Sequence, residues 1–69
     1  MKSISGKAFC KVLERQGWIL KRVKGSHHIY QNLESNAIIS IPVHGNKDLK
    51  TGTLKVLMRN AELSESDLE

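Results

Sequence analysis

The sequence predicts a small α+β domain of order α-β-β-β-α, in which a three-stranded antiparallel sheet carries two helices on one face. Three observations predict it. Each end of the chain holds an amphipathic stripe at helical spacing, three short runs of bulky and branched residues lie between them, and about three turn residues separate those runs. Connections that short cannot make parallel crossovers, so the strands form a meander. With 69 residues the chain has length for one domain, 1–69, and one small core.

Ser3 and Ser5 can each cap the first helix, and Ala8, Phe9, Val12 and Leu13 form two i,i+4 pairs on one of its faces. Lys7, Lys11, Glu14 and Arg15 take the other face. Gly17 supplies the left-handed stop, which places the helix over about Gly6 to Gln16. Strand-like runs follow at Trp18 to Val23, His27 to Asn32 and Ala37 to Ile41, with turns at Lys24-Gly25-Ser26 and Glu34-Ser35-Asn36. Pro42 is expected to end the third strand by withholding a ladder donor. Val43 to Lys50 reads as a loop around Gly45 and Asn46. Leu54, Leu57, Met58 and Ala61 then fall at i, i+3, i+4 and i+7, a second helix starting near Thr51 to Thr53. Ser64 with Asp67 three residues on resembles a capping pair for a last short turn at Leu68.

The single Cys10 cannot form an internal bridge, so a reducing, cytoplasmic setting is expected. Ser35 to Asn46, the longest uncharged stretch, is too short and polar to span a bilayer. Met1 to Cys10 has no apolar run of the secretory kind. Charge is unevenly spread. Residues 1–60 hold all 11 Lys and Arg against three acids, a net +8, while Glu62, Glu65, Asp67 and Glu69 make the tail from about 62 to 69 acidic. A basic body suits nucleic acid or another polyanion, and the acidic tail reads as a solvated terminus.

No phosphate-binding glycine loop and no nucleophile elbow is present, so neither nucleotide hydrolysis nor hydride transfer has its parts, and no cofactor is expected. Nor is a metal site, since His27 and His28 are adjacent on a strand and point to opposite faces. The densest chemical stretch is Lys21 to Tyr30, where three cations, a hairpin turn and two histidines meet. Histidine moves protons near neutrality and neighbouring cations can hold a phosphodiester, which is most of what RNA cleavage requires. Equally, one histidine can pack under the helices while the other is an ordinary surface residue. Alternation separates them: if Ile29 packs inward, His28 and Tyr30 face out, and if Tyr30 packs inward the roles reverse. Ile29 is the more apolar, which favours an outward His28 as the chemical candidate. His44 precedes Lys47 and Lys50 in a loop, where it is either an exposed polar residue or a phosphate-binding or second proton-transfer group. The Thr51-Gly52-Thr53 helix start offers free amides that could meet a phosphate or simply be capped. Phe9 and Trp18 read as core rather than as a base-stacking platform.

Gly25-Ser26-His27-His28-Ile29-Tyr30, Ile41-Pro42-Val43-His44 and Leu49-Lys50-Thr51-Gly52-Thr53-Leu54 together resemble the HicA family of mRNA interferase toxins, from Ser5 to Leu63. The family's glycine exit from the first helix is matched at Gln16-Gly17-Trp18. The resemblance implies an α-β-β-β-α fold like that of double-stranded-RNA-binding domains. It also implies a ribosome-independent endoribonuclease that cuts mRNA and is held inactive by a HicB-type antitoxin. On that alignment the catalytic histidine is His28, Gly25 and Ser26 form the motif's turn, and His44 is a family-pattern residue. Lys24 and Lys47 are candidate phosphate contacts. An occluding inhibitor is expected to cover the hairpin and His28 and to set carboxylates against Lys21, Arg22 and Lys24. The competing expectations are a non-catalytic double-stranded-RNA-binding module, working by counterion release and shape, and a pure protein-interaction module.

Overall fold

The computed structural model describes residues 3–68 and has the expected order: α1 (Gly6–Arg15), β1 (Ile19–Lys24), β2 (His27–Gln31), β3 (Ile38–Pro42), α2 (Thr51–Ala61) and a final 3-10 turn, Glu65–Leu68. The strands pair antiparallel in the order β1-β2-β3. Both helices lie on one sheet face. Phe9, Val12 and Leu13 of α1 and Leu54, Leu57 and Met58 of α2 close over Tyr30, Ile39 and Ile41, with Trp18 completing the core. No helix is long and apolar enough to cross a membrane among the described residues.

Local chemistry accounts for the element ends. Ser5 caps α1, its Oγ accepting from the Ala8 amide at 3.1 Å. The helix stops one residue earlier than expected because Gln16 is the cap, and Gly17 turns the chain at φ +95°. Gly25 begins the two-residue β1–β2 turn at φ +59°, the glycine-first pattern whose twist suits a tight hairpin. At the chain's end, the Ser64 amide and hydroxyl both donate to Asp67 Oδ2, at 2.8 and 3.1 Å. That reciprocal cap turns Leu68 into the core, so the acidic tail is docked rather than solvated through this residue. Glu69 lies outside the described residues.

Three further features differ from expectation. Pro42 is the last residue of β3 rather than the residue beyond it, paired with His27. The amides of Val43 and Asn32 donate to Ser26 and Ala37 carbonyls on either side of the ladder, so the alternation leaves Pro42 at a position needing no donor toward β2. A bulge interrupts β1 between Leu20 and Arg22. Tyr30, not Ile29, packs inward: Tyr30 is 1 % exposed, and its hydroxyl donates to Glu14 Oε2 at 2.7 Å. The phenol buries more apolar surface than an isoleucine while its hydroxyl reaches a carboxylate at the rim of α1.

The first turn of α1 is pressed onto the end of β3. A Cβ built at Gly6 would collide with the Pro42 carbonyl oxygen and crowd Val43 Cα. Gly6→Ala must therefore push α1 off the strand end, and overpacking of this kind costs about 1–3 kcal/mol. Thermal unfolding of the variant should show a drop of several degrees in Tm, since about 1 kcal/mol shifts a domain of this size by roughly 4–8 °C. An unchanged Tm would mean that the two segments do not depend on this close approach.

Candidate functional site

Register fixes which side chains share a face. Tyr30 is opposite Leu20 and Ile39, and His28 is opposite Val23 and Ile41. Because Tyr30, Ile39 and Ile41 are buried beneath the helices, His28 belongs to the covered face as well. The expected outward His28 is thus corrected. The outward histidine is His27, which is exposed and lies opposite Lys24 and Pro42.

His28 is half-buried at the edge of the covered face. Its Nδ1 is sealed from solvent without a hydrogen-bond partner. No carboxylate orients the ring through that nitrogen, in contrast to a triad histidine. Nε2 is left as the nitrogen through which the ring can exchange a proton with an incoming group.

The end of the sheet holding His28 is where most of the other candidates gather. The Ser26 carbonyl accepts from Val43 at 2.7 Å, joining the Gly25-Ser26 turn to the chain just before His44. The following loop is fastened to the N-terminal segment by the Leu49 amide donating to Ile4 at 2.8 Å and by a bridge between Ser5 and Asp48. Those ties shape an open groove of about 480 Å³ lined by Pro42, His44, Lys47, Asp48, Leu49, Lys50 and Thr53. The groove ends on α2, whose N-cap Lys50 gives no side-chain cap and whose first turn has no acid. Uncapped amides and nearby cations favour an anion there.

The structure therefore brings Gly25, Ser26, His28, His44 and Lys47 to one end of the molecule. Lys24 stands apart, opposite His27 on the uncovered face. Lys21 and Arg22 also turn to that face, where with Ile29 and Ile38 they line a shallow depression. A carboxylate-bearing inhibitor seated on Lys21, Arg22 and Lys24 would not, by that contact, cover His28. Asp48 escaped the sequence reading, and Leu49 entered it only within a family-like motif, because a polar loop carries no periodicity to say which side chains will line a groove.

One further ionisable group, Cys10, lies in the core. Burial pushes the Cys10 thiol up, against the lowering effect of a hydrogen bond with Tyr30, so it is no ready thiolate nucleophile. Among the described residues no three of His, Cys, Asp and Glu are grouped to hold a metal.

Compared with known families, residues 6–63 match the family described as HicA toxin of bacterial toxin-antitoxin. No individual curated protein matches the sequence.

Tyr30 sets the side on which His28 stands, and its ionisation reports on that packing. Burial, then the hydrogen bond to Glu14, pushes the phenol well above its ordinary value near 10.0. The folded state keeps the proton through a pH at which the unfolded chain loses it, so this group's contribution to stability is complete below about pH 10 and declines above it. Tyr30 is the one tyrosine in the chain. Tyrosinate absorbance near 295 nm should be absent from the native protein at pH 10.5 and appear together with alkaline unfolding. A separate native-state titration near pH 10 would contradict the buried placement.

Proposed function

The chain belongs to the HicA toxin family, and from that premise we propose that it is a metal-independent endoribonuclease cutting mRNA in the cytoplasm, restrained by a HicB-type antitoxin. The observation that carries the proposal is the family match over residues 6–63, which contains the Gly25-Ser26 turn and His28. The half-buried His28 with its one sealed nitrogen, on the strand that leaves the Gly25-Ser26 turn at the same end of the sheet as the groove holding Lys47 and Lys50, supports it.

In this reading the RNA backbone lies along the end of the sheet. The Gly25-Ser26 turn, His44 and Lys47 contact it, and phosphate oxygens meet the lysine and the first amides of α2. His28 Nε2 takes the proton of the ribose 2′-hydroxyl. The 2′-oxygen attacks the adjacent phosphorus, the bond to the 5′-oxygen breaks, and that oxygen leaves with a proton from solvent or from His44. The products are a 2′,3′-cyclic phosphate and a 5′-hydroxyl. Positive charge around the phosphorus stabilises the phosphorane as it forms. Lys24, on the other sheet face, contributes chiefly to long-range attraction of RNA.

His28→Ala should lower the cleavage rate by about 10²–10⁴, the usual loss for a positioned acid or base. His27→Ala should cut at close to the wild-type rate. Far-UV circular dichroism of both should match the parent, and excess EDTA should leave the parent's rate unchanged. Full activity in His28→Ala would reject the assignment. RNA binding without any cleavage by the wild type would instead identify a non-catalytic module.

Affinity for RNA should fall with salt. Lys47→Ala should reduce the slope of log K against log salt by roughly one, and Lys24→Ala by less. Equal slopes for parent and Lys47→Ala, read by fluorescence anisotropy, would remove Lys47 from the interface.

A further inference from the structure

The first helix crosses the sheet obliquely. Its first turn rests on the end of β3, where Gly6 meets Pro42, and its last leads through Gly17 and Trp18 into β1. The second helix packs against β3. One corner of the covered face is therefore left bare, at the end of β1 that enters the Gly25-Ser26 turn. Val23 is directly opposite His28 and Leu20 opposite Tyr30, so both belong to the helix side, yet Val23 is 53 % and Leu20 41 % exposed.

This corner is the open side of His28. Toward β3 its neighbour Ile41 is fully buried, and its Nδ1 is sealed. Toward β1, Val23 offers an accessible aliphatic surface at cross-strand contact distance, about 5 Å between Cβ atoms. A cation stands over the same corner. Cys10 and Glu14 both hydrogen-bond with the Tyr30 hydroxyl, and the exposed Lys7, three and seven residues before them, shares their flank of α1. From Cys10 to Lys7 the helix moves about 4.5 Å toward Gly6, and from Tyr30 to His28 the strand moves roughly 6.6 Å in the same direction. Lys7 is thereby carried from the level of Tyr30 toward that of His28.

An aliphatic floor, a proton-transfer group and a cation, with no carboxylate between them, fit a nucleotide held by the face of its base and by its phosphate. We infer that Val23, with Leu20 beyond it, is the floor on which the nucleoside bearing the reacting 2′-hydroxyl lies, and that Lys7 meets a phosphate oxygen of the same RNA strand from the α1 side. The inference rests on the nuclease reading of His28 and deepens it by placing the reacting nucleoside. Because the floor has no hydrogen-bonding side chain, it grips the base by its face and does not read its edge.

The test uses an RNA oligonucleotide with one cleavage site mapped on the parent protein, and a matched oligonucleotide lacking the base 5′ of that bond but keeping its ribose and 2′-hydroxyl. With the parent, removal of the base should lower kcat/KM by about tenfold, comparable with the burial of one aliphatic side chain. Val23→Ser should show most of that loss on the intact RNA and little more on the abasic one, a coupling that a merely structural role of Val23 would not produce. Lys7→Ala should lower kcat/KM by about tenfold and the salt slope of binding by roughly one, and Lys7→Arg should restore both. Equal loss of the base's contribution in parent and Val23→Ser, or full activity in Lys7→Ala, would overturn the inference. An uncleavable oligonucleotide with 2′-deoxyribose at every position should shift the methyl resonances of Val23 and Leu20. Silent methyls would overturn the subsite whether or not the parent cuts RNA, whereas shifted methyls without cleavage would support the subsite and reject the nuclease reading alone. Shifts that follow protein concentration in place of oligonucleotide would mark a second copy of this chain on the corner and overturn the assignment.

Discussion

Burial of the Tyr30 side chain against α1, with its hydroxyl donating to Glu14, settles the parity of β2, and most of the molecule's surface chemistry follows from that parity. Side chains alternate along a strand, so an inward Tyr30 carries His28 to the helix side and sends His27 and Ile29 to the open side. The neighbouring strands obey the same ladder: Ile39 and Ile41 go under the helices, while Ile38 and Ser40 remain exposed. Had Ile29 packed inward, both histidines would have exchanged faces and the open side would have lost its central aliphatic residue. One phenol thus decides which imidazole lies on the helix side of the sheet and which on the open side with Lys24.

A second set of constraints assembles the far end of the sheet. The absence of a side chain at Gly6 lets α1 rest on Pro42, the Ile4 carbonyl ties down Leu49, and the Ser26 carbonyl holds Val43. These are backbone contacts between segments far apart in sequence, and they fix where His44, Lys47 and the start of α2 stand relative to the Gly25-Ser26 turn. The catalytic reading of His28 depends on this arrangement because an isolated histidine with an unpartnered Nδ1 has no orienting group of its own. Packing along the rim of the core has to hold the ring instead.

The element order was legible from the sequence because each device is local. Ser5 caps, Gly17 and Gly25 take positive φ, and the stripe Leu54, Leu57, Met58, Ala61 is buried as its spacing requires. The Ser64 and Asp67 pair was also visible, although its effect, turning Leu68 into the core, depends on where α1 lies. The face of β2 was not legible. Ile29 and Tyr30 are adjacent and both apolar enough for a core, and hydropathy favours the wrong one. The deciding contact, with Glu14, spans sixteen residues and only exists once α1 is in place. The bulge in β1 and the lining of the groove were hidden for the same reason, since neither leaves a periodic trace.

If His28 and the groove residues meet RNA, as proposed, contact falls at that end of the sheet and not on the open face, and the difference can be measured directly. The probe is an uncleavable oligonucleotide with 2′-deoxyribose at every position, titrated into the protein while imidazole and isoleucine methyl resonances are followed. The account predicts shifts at His28, His44 and the amides of residues 43–53, with the methyl groups of Ile19, Ile29 and Ile38 unmoved. Perturbations centred on those three isoleucines and His27, with His28 silent, would contradict it.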